Sequence, residues 1–412
     1  MPMRVTSALV LLVLAAVSCQ KPFFTGTPRW MRTTDRYLYH SAGGDSIPER
    51  PEPLPPGPAP EPEPCVYMSA LRFPEGMPWR DGERSGAHIV LWKDGEEVLD
   101  LPVEHYPEPD RHRIRGGYLW WDDSDGVSTF VYRNGKEVFR YEGDEILRGL
   151  LEVNGKIHTL GQRAGRGGFS YRINGTEVFS HPSAQILGSF DERAWEGGAL
   201  MLDGDSVYYC FSTPFEYRVM KGNELVQRIL ADEAGKVFDI RVWGGSVYRT
   251  QQQGGAGSTL VMMQDQTVIP LGLTESDQVH LGRLVPFGNQ MLVKGYSTRS
   301  GNDEYQYWFR GQNGVVQQQD SDLPLADIYP DNPEGVAVYL DGGRVNRIWD
   351  GRQILNIWPG RYTLYTPACT ALYKGTLYAV LSDAGGNSHL LLKGDQATTF
   401  TFNGCFTGIR IE

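Results

Sequence analysis

One short pattern constrains this chain more than any other. It is a two-residue turn built on Gly, Asn or Asp, set between runs of β-branched and aromatic residues and repeated along most of the length. "VLWKDGEEVLDL" begins at Val90, "FVYRNGKEVFRY" at Phe130, "FSYRINGTEVFSH" at Phe169, "NRIWDGRQILNI" at Asn346 and "LLLKGDQATTFTF" at Leu390. The glycines that mark the turn are Gly95, Gly135, Gly175, Gly222, Gly311, Gly351 and Gly394, and "MQDQTV" at Met263 fills the gap. Asn-Gly and Asp-Gly favour the hairpin turn in which both central residues take positive φ. Their flanks alternate as strands do. A second hairpin precedes each of these, such as "LLEVNGKIHTLG" at Leu150 or "MLDGDSVYYCFS" at Met201. Two linked hairpins give four antiparallel strands, and the spacing of roughly 40 to 48 residues is the period of a propeller blade.

The expected fold is therefore all-β, a β-propeller of about eight four-stranded blades. The copy that starts at Cys65 has three strands, because a proline-rich stretch precedes it. The final "CFTGIRIE" matches the innermost strand of the other copies, as in "EGDEILRGLLEVNG". The C-terminal strand is thus expected to join the first blade and remove the open edges of a linear stack. A solenoid would show capping repeats instead.

The N-terminal "MPMRVTSALVLLVLAAVSCQK" carries Arg4 and then an apolar run, Ala8 to Val17. That run is too short to span a bilayer and reads as the core of an export signal. "AAVSC" resembles the lipobox of bacterial lipoproteins, with Ala16 in place of the usual leucine. The resemblance implies a signal peptide over residues 1–18 and lipid on Cys19. Gln20 stands where an inner-membrane retention aspartate would be, so it also implies the outer membrane. An ordinary secretory signal containing a cysteine is the alternative. In "SIPERPEPLPPGPAPEPEP", Ser46 to Pro64, nearly every second residue is proline, which excludes helix and sheet and leaves polyproline II. Residues 19–64 are then a lipidated tether, reaching on the order of 50 Å, and residues 65–412 the propeller. Within the tether, "DSI" at Asp45 resembles the O-glycosylation sequon of Bacteroidetes.

A formal charge of −11 without a Lys/Arg cluster argues against nucleic acid or an anionic membrane surface as partner. Cys65, Cys210, Cys369 and Cys405 lie far apart with no C-x-x-C, so neither zinc nor a redox motif is suggested. An oxidising envelope permits a disulfide, and the repeat alignment places Cys369 and Cys405 on neighbouring inner strands. No metal-binding histidine pair, no G-x-S-x-G and no phosphate-binding loop is present, so no metal, cofactor or catalytic residue is assigned. "WWDDSDGV" at Trp120 lacks the closing glutamate of a calcium loop. "SDG" at Ser124 and "SDAGG" at Ser382 miss the spacing and tryptophan of the sialidase Asp-box.

In a four-stranded meander the first and third turns share one side and the longer connections the other. The longer connections include "FPEGMPWRDGERSG", "VEHYPEPDRHR" and "SFDERAWEGG". Loops on a rigid scaffold are where binding residues concentrate. Trp79, Arg80, Tyr106, His112, Asp191, Arg193 and Trp195 are the candidate ligand-binding residues, of the aromatic and charged kinds used at interfaces. The whole looks like the propeller lipoproteins of the Gram-negative envelope, similar in outline to those of Bacteroidales. That resemblance implies a binding or scaffold role toward a protein or glycan partner. The eight-bladed lipoprotein of the barrel-assembly machinery carries A-x-D-x-x-T-G-x-x-x-W repeats, which are absent here. Neither its role nor a quinone follows. The rival reading is a glycan hydrolase or lyase at the channel mouth, which requires clustered carboxylates with perturbed pKa values.

Overall fold

The computed structural model describes residues 63–77, 86–102, 112–163, 167–187, 199–253, 259–273, 277–279, 282–299, 305–321, 328–329, 337–341, 344–349, 354–355 and 362–412. The chain divides into units Met1–Glu61 and Pro62–Glu412, and every described residue belongs to the second. Those residues are almost entirely β. A four-residue helix, Ala231–Ala234, and a 3-10 turn, Pro367–Cys369, are the exceptions among them. Their strands form seven antiparallel sheets. The strands Glu145–Val153, Lys156–Arg163, Phe169–Ile173 and Thr176–His181 illustrate the plan, a meander in which each strand pairs with the next. The largest sheet has nine strands, two groups of which meet through the single bridge Arg344–Thr363.

The turns explain the repeat. Asp94 and Gly95 have φ of 52° and 87°, Asn134 and Gly135 46° and 82°, and Asn174 and Gly175 49° and 79°. Both central residues are left-handed, as the hairpin twist demands. One expectation needs correcting. Gly311 is not a turn residue, because it pairs with Gly314 across a turn made by Gln312 and Asn313. The positive φ falls on Gly314, at 95°. Gly351 lies outside the described residues.

Five of the outer hairpins share a further device. Leu91 faces Leu99 while Trp92 faces Glu97, which leaves Val98 as an extra residue on the outer strand. Val138, Val178, Val226 and Val316 are extra residues of the same kind in four other sheets. A bulge twists an edge strand and interrupts its row of free backbone groups.

The inner strands are irregular as well. The terminal strand Gly404–Ile411 pairs antiparallel with Val66–Arg72, and Thr407 is its extra residue. Arg148 and Phe238 are the extra residues of two other inner strands. In three sheets the inner strand is split, for example into Gln185–Leu187 and Leu200–Asp203, both paired with Ser206–Ser212. Backbone groups freed in this way are taken up by a neighbouring sheet. Leu147 N–H donates to Asp122 Oδ2 at 3.1 Å, and Leu284 N–H to Asp239 Oδ2 at 2.8 Å. Ala199 N–H donates to the Arg148 carbonyl at 2.9 Å, and Thr366 Oγ1 to the Thr407 carbonyl at 3.1 Å.

Apolar side chains fill the spaces between sheets. Tyr171 stacks on Tyr209 at 4.8 Å, and Phe169 meets Phe211 at 5.0 Å. At the seam of first and last strands, Phe406 is fully buried against Trp92, Phe400 and Phe402. Cys65 N–H and Glu412 N–H donate to each other's carbonyls at 2.8 and 3.0 Å. Replacing Phe406 with Ala should cost about 3–5 kcal/mol. Deleting residues 406–412 should cost more and promote association through the exposed edge. Thermal melting with light scattering reads both effects; an unchanged melting temperature would show that the seam contributes nothing.

Candidate functional site

Among the candidate binding residues, Trp79, Arg80, Tyr106, Asp191, Arg193 and Trp195 lie outside the described residues, as does Cys19. His112 lies within them and is only 3 % exposed. The expectation of an accessible loop residue is therefore corrected. It directly precedes the inner strand Arg113–Arg115, and its Nδ1 lies 2.9 Å from Thr407 Oγ1. Ser69 Oγ meets the same hydroxyl at 2.8 Å. Thr407 is the bulged residue of the terminal strand, and its hydroxyl links His112 to Ser69 of the strand Val66–Arg72. Burial, reinforced by Arg113, pulls the His112 imidazole down to about 3.

The described rungs also locate the root of "FDERAWEGG". Leu187 pairs with Cys210 and Leu200 with Tyr209, so residues 188–199 leave and rejoin the inner strand between consecutive rungs. In sequence, Asp191, Arg193 and Trp195 fall between the strand that ends at Leu187 and the one that begins at Leu200.

The acidic motifs close turns. Asp125 Oδ1 accepts the N–H groups of Ser128 at 2.6 Å and Val127 at 2.8 Å. Those bonds hold its carboxyl below the usual range. Asp383 Oδ1 accepts from Asn387 at 2.9 Å and Ser388 at 3.3 Å. Both turns join second to third strands. Among the described residues no three metal-ligating side chains gather, and no disulfide joins the four cysteines there.

Buried charge was the feature least visible beforehand. Glu145, at the start of an inner strand, accepts both Arg172 Nη1 at 2.7 Å and Nη2 at 3.0 Å. The Arg172 guanidinium lies 3.9 Å from the Tyr141 ring centre. Gly161 makes room, since a Cβ there would run into the Glu145 carboxylate. Arg113 reaches Asp122 at 3.5 Å and the Leu147 carbonyl at 2.8 Å. Burial pushes the Asp239 carboxyl up against the pull of Arg241. Its oxygens accept from Ile240 N–H at 2.9 Å and Leu284 N–H at 2.8 Å. These carboxylates act as struts between strands. The sequence hint was an acidic residue at an otherwise apolar strand, as in "GDEIL" and "VFDIRVW".

A Ser–His pair has the same character. His389 Nε2–H donates to the Phe402 carbonyl at 2.9 Å, so Nδ1 accepts from Ser382 Oγ, also at 2.9 Å. Ser382 Oγ in turn accepts Phe406 N–H at 3.1 Å. The imidazole is thus placed as a base would be, but both side chains are buried, so in this arrangement the hydroxyl is out of a substrate's reach and the pair serves to hold the Phe406 backbone.

Two buried imidazoles therefore hold the terminal strand, and burial keeps His389 below its usual pKa as it does His112. In the unfolded chain a histidine titrates near about 6.5. Above that pH both states are neutral. Below it the unfolded chain binds protons that the fold refuses, so stability is lost as pH falls. Melting should drop between about pH 7 and about pH 5, and His389→Gln should flatten that slope. Parallel slopes for variant and wild type would remove His389 from the account.

No known protein family matches the chain, and no curated protein does. Solved structures do match in shape. Dihydro-heme d1 dehydrogenase NirN in complex with DHE aligns with a TM-score of 0.49 at 13% identity, over 83% of this chain and 74% of its own. BamB from Moraxella catarrhalis aligns at 0.38 and 12%, over 63% and 77%. The polysaccharide lyase Uly1 aligns at 0.39 and 10%, over 84% and 98%.

Proposed function

We propose that the chain is a β-propeller lipoprotein of the bacterial outer membrane, lipidated on Cys19, that binds or scaffolds a protein or glycan partner. Its four-stranded meanders are read as eight blades, two of them merged in the nine-stranded sheet. The pairing of first and last strands then completes the ring. One observation carries the binding reading: the segment 188–199 returns to the rung next to the one it left. Residues 188–198 supply none of the rungs described for this ladder, yet they include Asp191, Arg193 and Trp195. Such a segment, rooted on an inner strand, suits contact with a partner at the ring's centre.

A glycan hydrolase or lyase is the rival. Asp239 has the raised pKa of an acid catalyst, but both its oxygens are committed to backbone N–H groups. Binding is therefore favoured.

Cys19→Ser should move the protein from the outer-membrane fraction to the soluble envelope fraction; complete retention in the membrane would reject the anchor. Asp191, Arg193 and Trp195 replaced together by Ala should leave melting nearly unchanged and reduce capture of envelope proteins or glycans about tenfold or more, the loss of one hot-spot contact. The comparison is Ala at Lys136, Thr176 and Glu224, the strand residues that directly follow three tight turns. Weaker capture by that set alone would place the partner on the opposite side.

A further inference from the structure

The outer strands of the sheets differ in one respect that bears on association. Five contain the bulged valine described above, and four of those five also carry exposed charges on the strand: Glu96 and Glu97, Lys136, Glu177, and Glu224. The short outer strand Thr267–Pro270 has no bulge but ends in proline. Bulges, charges and proline are the means by which sheet edges avoid pairing with other chains.

The outer strand Gln396–Thr401 has none of them. It pairs with Ser388–Lys393 over six unbroken rungs. Its sequence, "QATTFT", contains no charge and no proline, and five of its six residues are exposed. Phe400, the sixth, is anchored against Phe406 at 5.7 Å. The strand is therefore a neutral edge with an unbroken ladder on one side, about 20 Å long, and among the described residues no strand pairs with its other side.

We propose that this edge pairs with the same edge of a second copy, forming a two-fold dimer through a continuous sheet. Three features favour a copy of the chain as the occupant. The chain carries a net charge of −11, which repels copies from one another at most surfaces, whereas this strand brings no charge to the contact. In a two-fold antiparallel pair the same backbone positions face the partner in both copies, so the axis passes through one residue. Either Thr398 or Thr399 then lies opposite itself, and cross-strand threonine pairs are favourable. Finally, among the described residues no second outer strand combines this length with neutrality and a straight ladder, so the pairing closes at two copies and does not propagate. One strand pair is smaller than the about 800 Å² per partner of a standard interface, so the dimer is weak and concentration-dependent.

The test uses the full chain in detergent solution and sedimentation velocity over a concentration series. Wild type should pass from monomer to dimer as concentration rises. Ala397→Lys with Thr399→Lys places like charges across the pair and should weaken dimerisation about tenfold or more. Thr176→Lys with Ser180→Lys, on a bulged outer strand, should leave it unchanged. Both pairs of substitutions are at exposed positions, so equal melting temperatures confirm that each variant is folded. As an independent reading, Thr398→Cys or Thr399→Cys should give a disulfide-linked dimer under mild oxidation, and Val178→Cys should not. A wild type that stays monomeric throughout, or a dimer indifferent to the lysines at 397 and 399, overturns the proposal.

Discussion

The structure depends on how each sheet's inner strand hands its backbone hydrogen bonds to the next sheet. A buried N–H or C=O without a partner costs about 1–3 kcal/mol, and a bulge or break in an inner strand releases such groups. Asp122, Asp239 and Thr366 take them up from the neighbouring sheet, and the Arg148 carbonyl does the same for Ala199. Irregularity within a sheet thus becomes adhesion between sheets. The apolar layers supply most of the burial, but they are non-directional. The side-chain-to-backbone bonds of Asp122, Asp239 and Thr366 are directional links between neighbouring sheets.

The same logic accounts for ionisable groups that would suggest catalysis in isolation. Glu145, Arg172, Ser382 and His389 are buried and fully engaged. Breaking one such pair strands its partner in a low-dielectric interior, which is strongly destabilising. Their value lies in fixing one arrangement of the strands.

Much of the fold was legible because type I′ turns demand residues that tolerate positive φ, and Asn-Gly and Asp-Gly pairs recur where they occur. The reading slipped at "RGQNGV", where two glycines compete. Gly311 lies close to the Leu292 side chain while Gly314 takes the left-handed backbone, and spacing alone cannot tell a packing glycine from a conformational one. The pairing of the last strand with the first followed from matching incomplete copies at the two ends of the repeat. The burial of His112 did not follow, since its partner Thr407 is 295 residues away and is reached only through that pairing. A valine stands at the same offset after five of the turns, a recurrence not noted in the sequence reading. Its meaning as an extra residue required the register. Contacts between sheets, such as Asp122 with Leu147, leave no periodic trace in the sequence.

The rooting of residues 188–199 between consecutive rungs has a consequence for how the chain can change. In an ordinary hairpin, altering the length of a connection risks shifting the register of both strands and turning every side chain over. Here both ends of the excursion are pinned on the long strand Ser206–Ser212, one by Cys210 and the other by Tyr209. The length and composition of the excursion are therefore uncoupled from the ladder, and the entropic cost of lengthening it grows only slowly. Such a position can accept foreign peptide sequence while the framework around it keeps its alignment, which makes it a natural point of divergence between otherwise similar chains.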